Sequence, residues 1–310
     1  MHVLVIGDRE SSEDSERYFN EYVSFLRQAV ATTPQQADIA FTLFDNLYIT
    51  VGDDVFEIYD TRTRRSVSEY AVVVLRGSSF RQYYDVIKTI STYVKQHGNL
   101  SVNDYSAFRE SSKLTQALQF YTNGMPVAQT VYVTQAILQA RHPLPFTFPC
   151  ILKATYGSHG NDNYLVQSLE EAADIVRRTP GKKFVLQRFV PNDRDYRVLV
   201  VGDEALVIER SAAGDSHLNN TSQGGQAVLV PTENLPAAIV EQSKNIAREL
   251  QLSIAGVDVL ADKDIGTYHF LEVNAQPQLM TGAFTDKKAE LIGRFLERLA
   301  RDERPVRQDI

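Results

Sequence analysis

Cysteine is almost missing from this chain. Cys150 is the single one among 310 residues, which excludes an internal disulfide, a CxxC redox motif and a cysteine-rich metal site. A reducing cytoplasmic compartment is therefore expected. Long apolar runs are also missing. No stretch approaches the roughly 18 residues of a membrane span. The apolar start HVLVIG is too short for a signal peptide and meets Asp8 at once. A basic excess is absent as well: 32 Lys and Arg face 39 Asp and Glu, for a formal charge of −7. Neither nucleic acid nor an anionic membrane is an expected partner. There is no fixed-period repeat or low-complexity tract. The orders GxGxxG, GxxxxGK[ST] and GxSxG do not occur, and Cys150 has no histidine beside it. A dinucleotide fingerprint at Gly7, a P-loop and covalent hydrolase chemistry all lose their support.

What remains is 43% hydrophobic and 23% charged, ordinary for a globular protein of two or three domains. Residues 1–108 read as a small α/β unit, with a buried-type strand at His2–Ile6, a helix over 14–31 and a second apolar strand at 70–76. Near residue 110 a helix begins, N-capped by Ser111 or Ser112 and ended by Gly124, with Leu114, Ala117, Leu118 and Tyr121 as its apolar stripe. A domain border is expected just before it. Strands are expected at 126–133, 148–154, 184–190, 196–201, 205–210, 253–261 and 268–275, with a Gly202-Asp203 hairpin turn. Helices are expected at 169–178 and 236–250. A last amphipathic helix should bury Leu291, Ile292, Phe295, Leu296 and Leu299.

The stretch FLEVNAQPQ, residues 270–278, places Glu272 and Asn274 on one strand face, with Phe270 expected on the same face. Its hairpin partner is SIAGVDVLA. Setting Val257 against Val273 and Val259 against Leu271 matches the apolar faces and puts Asp258 opposite Glu272. Two carboxylates about 5 Å apart repel by roughly 3 kcal/mol at an effective dielectric near 20, more than a good cross-strand pair returns. One acid is protonated, a basic side chain bridges the pair, or a divalent cation lies between them. Asp258, Glu272 and the Asn274 amide offer oxygen only, which suits Mg²⁺ or Mn²⁺. An acidic strand face satisfied by Arg or Lys is the alternative.

Other residues fit the surroundings of a phosphate. Lys153 ends a strand and precedes Tyr156-Gly-Ser-His-Gly160, whose glycines let backbone amides approach an anion. An ordinary glycine turn around Ser158 and His159 is the competing reading. Lys113 occupies a first helical turn, where the dipole disfavours a cation. His217–Gly225 is a polar, glycine-ended loop. Arg210 ends a strand nearby, and Arg197, between Tyr196 and Val198, is expected half-buried against an acid.

The succession SSKLTQALQF, ILKATYGSHG, VLQRFV, DYRVLVVGDEALVIER, NNTSQGGQA, AGVDVLAD, FLEVNAQP closely resembles an ATP-grasp ligase. It is most similar to the RimK-type branch, which joins amino acids to carboxylates. The resemblance covers about residues 100–300 and implies an ATP-grasp fold of two α+β lobes clamping ATP. A small lobe at 109–185 and a large lobe at 186–310 would follow a Rossmann-like α/β domain at 1–108. It implies Lys113 and Lys153 on the ATP phosphates, with Gly157 and Gly160 in a closing loop and Gln187, Arg188, Phe189 and Val190 as an adenine hinge. Asp195 would contact the ribose and Asn220 a phosphate, and Asp258, Glu272 and Asn274 would hold magnesium. Arg210 and Lys153 become the catalytic candidates, and Arg76, Arg197 and Arg210 the substrate-binding ones. Three positions depart from the pattern: Arg188 replaces a hinge Glu, Gln223 an arginine, and Gln278 a glycine. The implied reaction is ATP-dependent formation of an amide from a small-molecule or peptide carboxylate and an amine, through an acyl phosphate. The rivals are a ligase acting on a ribosomal precursor peptide and a non-catalytic ATP-binding regulator. Oligomeric state, homo-oligomer included, stays open.

Overall fold

The computed structural model describes residues 1–8, 13–31, 37–76, 82–106, 112–156, 162–211 and 226–302. Apolar strands such as HVLVIG and VVVLR need cover on both faces. In chain order the first unit holds β1 (His2–Gly7), α1 (Glu13–Ala31), β2 (Asp38–Leu43), β3 (Leu47–Gly52), β4 (Val55–Asp60), β5 (Val72–Arg76), α2 (Tyr84–Gln96) and β6 (Leu100–Val102). The parallel sheet runs β2-β1-β5-β6, and β3–β4 form a separate hairpin. The sequence reading assigns no element to β2, the hairpin, α2 or β6. The hairpin did have a signal: Gly52, Asp53 and Asp54 all take positive φ in its turn. A Cβ on Gly7 would lie 2.1 Å from the Phe19 ring, so this glycine serves helix–strand packing, in keeping with the absent dinucleotide fingerprint.

Helix α3 (Lys113–Thr122) is N-capped by Ser112, whose Oγ accepts from the Thr115 amide at 3.2 Å. Its packed face differs from the expected stripe. Leu114, Leu118 and Tyr121 are exposed, and Gln116 and Phe120 are the buried residues. The cause is long-range. The Gln116 side chain donates to the Val273 carbonyl at 3.2 Å and accepts from the Val273 amide at 3.0 Å, while the Phe120 ring packs on Phe270.

The next sheet is antiparallel, ordered β7-β10-β8-β9, from β7 (Thr130–Val133), β8 (Cys150–Ala154), β9 (Asn163–Val166) and β10 (Phe184–Arg188). Leu138 of α4 (Gln135–Gln139) and Ala172 of α5 (Leu169–Arg178) cover Cys150, Leu152, Phe184 and Leu186 on one face. Alternation leaves Ile151, Lys153, Val185 and Gln187 on the other. The ladder of β10 with β8 continues to Arg188, so the lobe border drawn at 185/186 falls inside a strand.

The large sheet runs β13-β12-β11-β14-β15, from β11 (Arg194–Val201), β12 (Glu204–Ser211), β13 (Gln226–Val230), β14 (Ile254–Ala261) and β15 (Tyr268–Asn274). Helix α6 (Ala237–Glu249) buries Ile239, Val240 and Ile246 with Val198, Val200, Val257 and Val259. Helix α7 (Thr285–Asp302) buries Leu291, Ile292, Phe295 and Leu296 with Leu199, Val201 and Ile254 on the opposite face. The first unit does not close a core of its own. Leu4, Ile6, Val73 and Leu75 join the α6-side cluster, and Val3, Val5, Val72 and Val74 join the α7-side cluster. Among the described residues no helix is long and apolar enough to cross a membrane.

Asn103 ties these parts together. It takes φ 64, a left-handed conformation that asparagine tolerates. Its amide donates to the carbonyls of Ile254 at 3.0 Å and Ala275 at 2.8 Å, and its Oδ1 accepts from the Ile254 amide at 2.7 Å. Asn103→Ala orphans buried backbone groups and is expected to cost about 2–4 kcal/mol. A urea midpoint unchanged from wild type would disprove this clip.

Candidate active site

The β14–β15 pairing sets Asp258 opposite Glu272 and Val257 opposite Val273, as the apolar pattern requires. Beyond Asp258 the register shifts, and Val259 faces Phe270, not Leu271. One extra residue in β15 reverses the phase of alternation. Phe270 therefore joins the cluster of Val257, Val259 and Val273 instead of sharing the face of Glu272.

Across the sheet, Ile208, Arg197, Asp258 and Glu272 lie in one row, with Arg210 opposite Asp195 one step along. Basic side chains hold one acid of the pair, Asp258, and none bridges it to Glu272 among the described residues. Arg197 holds Asp258 through two hydrogen bonds, from Nε to Oδ1 and, at 2.8 Å, from its terminal nitrogen to Oδ2. Arg210 donates to Asp258 Oδ1 at 3.0 Å and to Asp195 Oδ1 at 2.6 Å. Arg197 is thus paired with an acid, as expected. Asp195, expected at the ribose, is hydrogen-bonded by Arg210, which cross-strand register places opposite it. Burial pushes the Asp195 carboxyl up to about 6, with Arg210 opposing and Asp258 adding to the rise. A Cβ on Gly256 would lie 2.9 Å from Pro277 Cβ and 3.0 Å from an Arg197 terminal nitrogen, so only glycine lets that guanidinium lie over β14.

Glu272 is different. Among the described residues its carboxylate makes no hydrogen bond or ion pair. Burial raises its pKa; Lys113 opposes that, Asp258 adds to it, and Arg197 and Lys153 oppose it in turn. The two lysines come from other elements. Lys153 lies on the open face of the small sheet and donates to Gln187 Oε1 at 2.7 Å, while Gln187 donates to Thr130 Oγ1 at 3.0 Å. Burial, and then Lys113, pull the Lys153 ammonium down to about 8 against the pull of Glu272 and Asp258. Lys113 is placed by α3, whose first amide donates to the Thr155 carbonyl at 2.9 Å while Gln116 grips β15. A cation in an unfavourable first turn thus arrives between the small sheet and Glu272.

The RimK-like ATP-grasp domain family matches residues 121–298. The chain belongs to that family. It is an ATP-dependent carboxylate–amine ligase, as its family and relatives have in common. One relative is a probable alpha-L-glutamate ligase of Coxiella burnetii, 28% identical over 254 residues, covering 78% of this chain and 80% of its own. Another is the tetrahydromethanopterin:alpha-L-glutamate ligase of Methanosarcina acetivorans, 26% identical, covering 79% and 75%. The solved ATP-grasp ligase PsnB, complexed with minimal precursor, Mg and ADP, superposes with a TM-score of 0.69 at 15% identity, over 96% of this chain and 98% of its own. That likeness is one of fold.

The remaining expected positions of this ATP-grasp ligase are distributed as follows. At the hinge, the Arg188 amide donates to the Gln129 carbonyl at 2.9 Å, and the Arg188 guanidinium lies 3.2 Å from His269 Nε2. Phe189 is half-buried and Val190 buried at the strand end. Arg76, expected in the acceptor pocket, is buried and donates to the Tyr18 hydroxyl at 2.9 Å and the Pro277 carbonyl at 2.9 Å, over the Tyr22 ring. An arginine ending a strand covered on both faces meets protein oxygen first, so Arg76 positions the turn after β15. Asn274 pairs with Gly256 beside Glu272. Gly157, Gly160, Asn220 and Gln223 lie outside the described residues. The sequence reading misses Gln116 and Asn103, whose long-range partners leave no local signal. It also misses Lys288, which in DKKAEL reads as a solvated helix residue.

The donor set fits a hard cation. Asp258 and Glu272 are opposed, the adjacent amide brings a third oxygen, and Asp258 Oδ2 keeps a lone pair beyond its arginine bond. Among the described residues no group of three or more His, Cys, Asp or Glu could hold a metal ion, so this site would rest on two acids and the Asn274 amide. If Lys153 meets phosphate as the resemblance implies, Lys153→Met weakens AMP-PNP binding about tenfold or more, the loss expected for a charged donor. The melting temperature should not fall, because a desolvated ammonium goes with it. Unchanged AMP-PNP affinity in a titration would remove Lys153 from the phosphate site.

Proposed function

We propose that this ligase joins an amino acid, with L-glutamate the first candidate, through its amino group to an acceptor carboxylate. The observation that carries the reading is the meeting of Lys113 and Lys153 with Glu272 and Asp258. Cations from one side and acids from another sheet frame a space suited to a nucleotide triphosphate and its metal. Glutamate is the substrate named for the two relatives above.

In this reading the γ-phosphoryl group passes to the acceptor carboxylate, leaving ADP and an acyl phosphate. The amine then attacks the acyl carbon, phosphate departs, and an amide remains. Asp258, Glu272 and Asn274 would hold Mg²⁺ (or Mn²⁺), which when bound offsets charge on phosphate oxygens. Lys113 and Lys153 orient the phosphates and stabilise the charge developing during transfer. Arg210, anchored by two aspartates, faces the oxyanion formed when the amine adds. Backbone groups at Phe189 and Val190 read the base, since the Arg188 amide is already taken.

Release of ADP across a panel of amino acids and acceptor carboxylates, with precursor-like peptides as a separate arm, tests this. Turnover that needs both L-glutamate and a small acceptor is expected. Turnover with peptides alone would transfer the assignment to the peptide-modifying reading, and nucleotide binding without ADP release under every condition would make the chain a regulator.

A further inference from the structure

Lys288, in the first turns of α7, has no task in the reaction described so far. It retains 5% of its surface, and the hydrogen bond of its ammonium is to the Thr281 carbonyl at 2.9 Å. Among the described residues no carboxylate pairs with it. Taking an ammonium out of water without an anion is costly, and folded proteins normally pair such a charge. Burial, with Arg197 adding, lowers its pKa to about 8.

The setting is a cleft that Lys288 lines together with Arg197, Arg210, Gln278 and the apolar Leu199 and Ile208. The two arginines are balanced by Asp258 and Asp195. The excess positive charge in the cleft is therefore that of Lys288. The positive end of the α7 dipole adds to it. An uncompensated buried cation beside an apolar wall, one arginine layer from the acid pair, is arranged for a small anion.

We propose that this cleft seats a carboxylate of the amine substrate, with Lys288 as its counter-ion and as a specificity-determining residue. The inference rests on the reading that the amine is an amino acid. The reacting carboxylate has to meet the γ-phosphate near Asp258 and Glu272. Arg197 and Arg210 touch Asp258 on one side and line the cleft on the other. The group held by Lys288 is thus a second, unreacting carboxylate, and its binding reports on ground-state affinity.

The test is calorimetric titration of L-glutamate into the full-length protein saturated with AMP-PNP and Mg²⁺. Lys288→Met should weaken glutamate binding about 10- to 100-fold, the loss expected for a charge-assisted contact. In Lys288→Met, AMP-PNP affinity should stay within about twofold of wild type because Lys113 and Lys153 are untouched, and in Lys288→Arg glutamate affinity should stay within about threefold because a cation remains in place. Melting temperature should hold or rise in Lys288→Met, since a buried unpaired charge is removed. L-Glutamine and the α-amide of glutamate complete a chemical double cycle: the amide whose penalty vanishes in Lys288→Met marks the carboxylate that Lys288 holds. Equal glutamate affinity in Lys288→Met and wild type overturns the role of Lys288 and leaves the glutamate reading standing. A wild-type protein that binds no glutamate overturns both.

Discussion

Glu272→Gln is expected to lower ADP release by about 10³-fold or more while the protein melts at the same temperature or higher. The expectation follows from the carboxylate's surroundings. It faces Asp258 across the β14–β15 ladder, and burial raises its pKa with Asp258 adding to the rise. The sign is definite. A carboxyl whose folded pKa lies above its unfolded value binds more protons when folded, so its ionisation costs stability at neutral pH. The amide keeps the shape and removes the charge, relieving a repulsion that the apo fold tolerates. On the proposed assignment, what it removes from catalysis is a hard anionic oxygen for the cation and an acid facing Lys113 and Lys153. Melting in the presence of chelator and turnover with saturating Mg²⁺ separate the two effects. A variant that turns over ATP like wild type would dismiss the metal assignment. A variant that unfolds would show that Glu272 holds the sheet together instead.

Arg210→Met is expected to fail in both respects, for different reasons. Its side chain is 13% exposed, and its guanidinium is shared between Asp195 and Asp258. Removing one partner of a buried charge network typically costs about 3–5 kcal/mol. Burial pushes the Asp195 carboxyl up to about 6 even with the arginine present, and losing that cation raises it further. If Arg210 faces the developing oxyanion as proposed, its loss should lower kcat by about 10²- to 10³-fold. The double variant Arg210→Met with Asp195→Asn separates the two roles. It should recover most of the stability, because no orphaned acid remains, and none of the turnover. Turnover returning together with stability would make Arg210 a scaffold residue only.

How much of this was legible beforehand depends on the range over which each feature is decided. The alternation in SIAGVDVLA and YHFLEVNA was enough to bring Asp258 and Glu272 face to face, since a slip of one residue would expose two apolar sets. The extra residue at Leu271 was not legible, because a bulge leaves the composition of a strand unchanged. Helix α3 was placed with its cap and its Gly124 terminus, yet turned the wrong way. Its own side chains favour burying Leu114, Leu118 and Tyr121, and the two hydrogen bonds of Gln116 to Val273 override them. Asn103 and Arg76 act over separations of 151 and 201 residues, which no periodicity encodes.

By itself, the order of residues decided where chain segments become helix or strand, which strands are buried on both faces, and which two acids oppose each other. Those outcomes depend on neighbours a few positions away and on hairpin register. Tertiary structure decided that both arginines gather on Asp258 while Glu272 is left to the lysines, and that Lys288 ends up buried with no acid paired to it among the described residues. Electrostatic partnership is set by distance in space: Arg197 and Arg210 reach Asp258 across strands of one sheet, whereas Lys113, Lys153 and Lys288 are brought in by α3, the small sheet and α7.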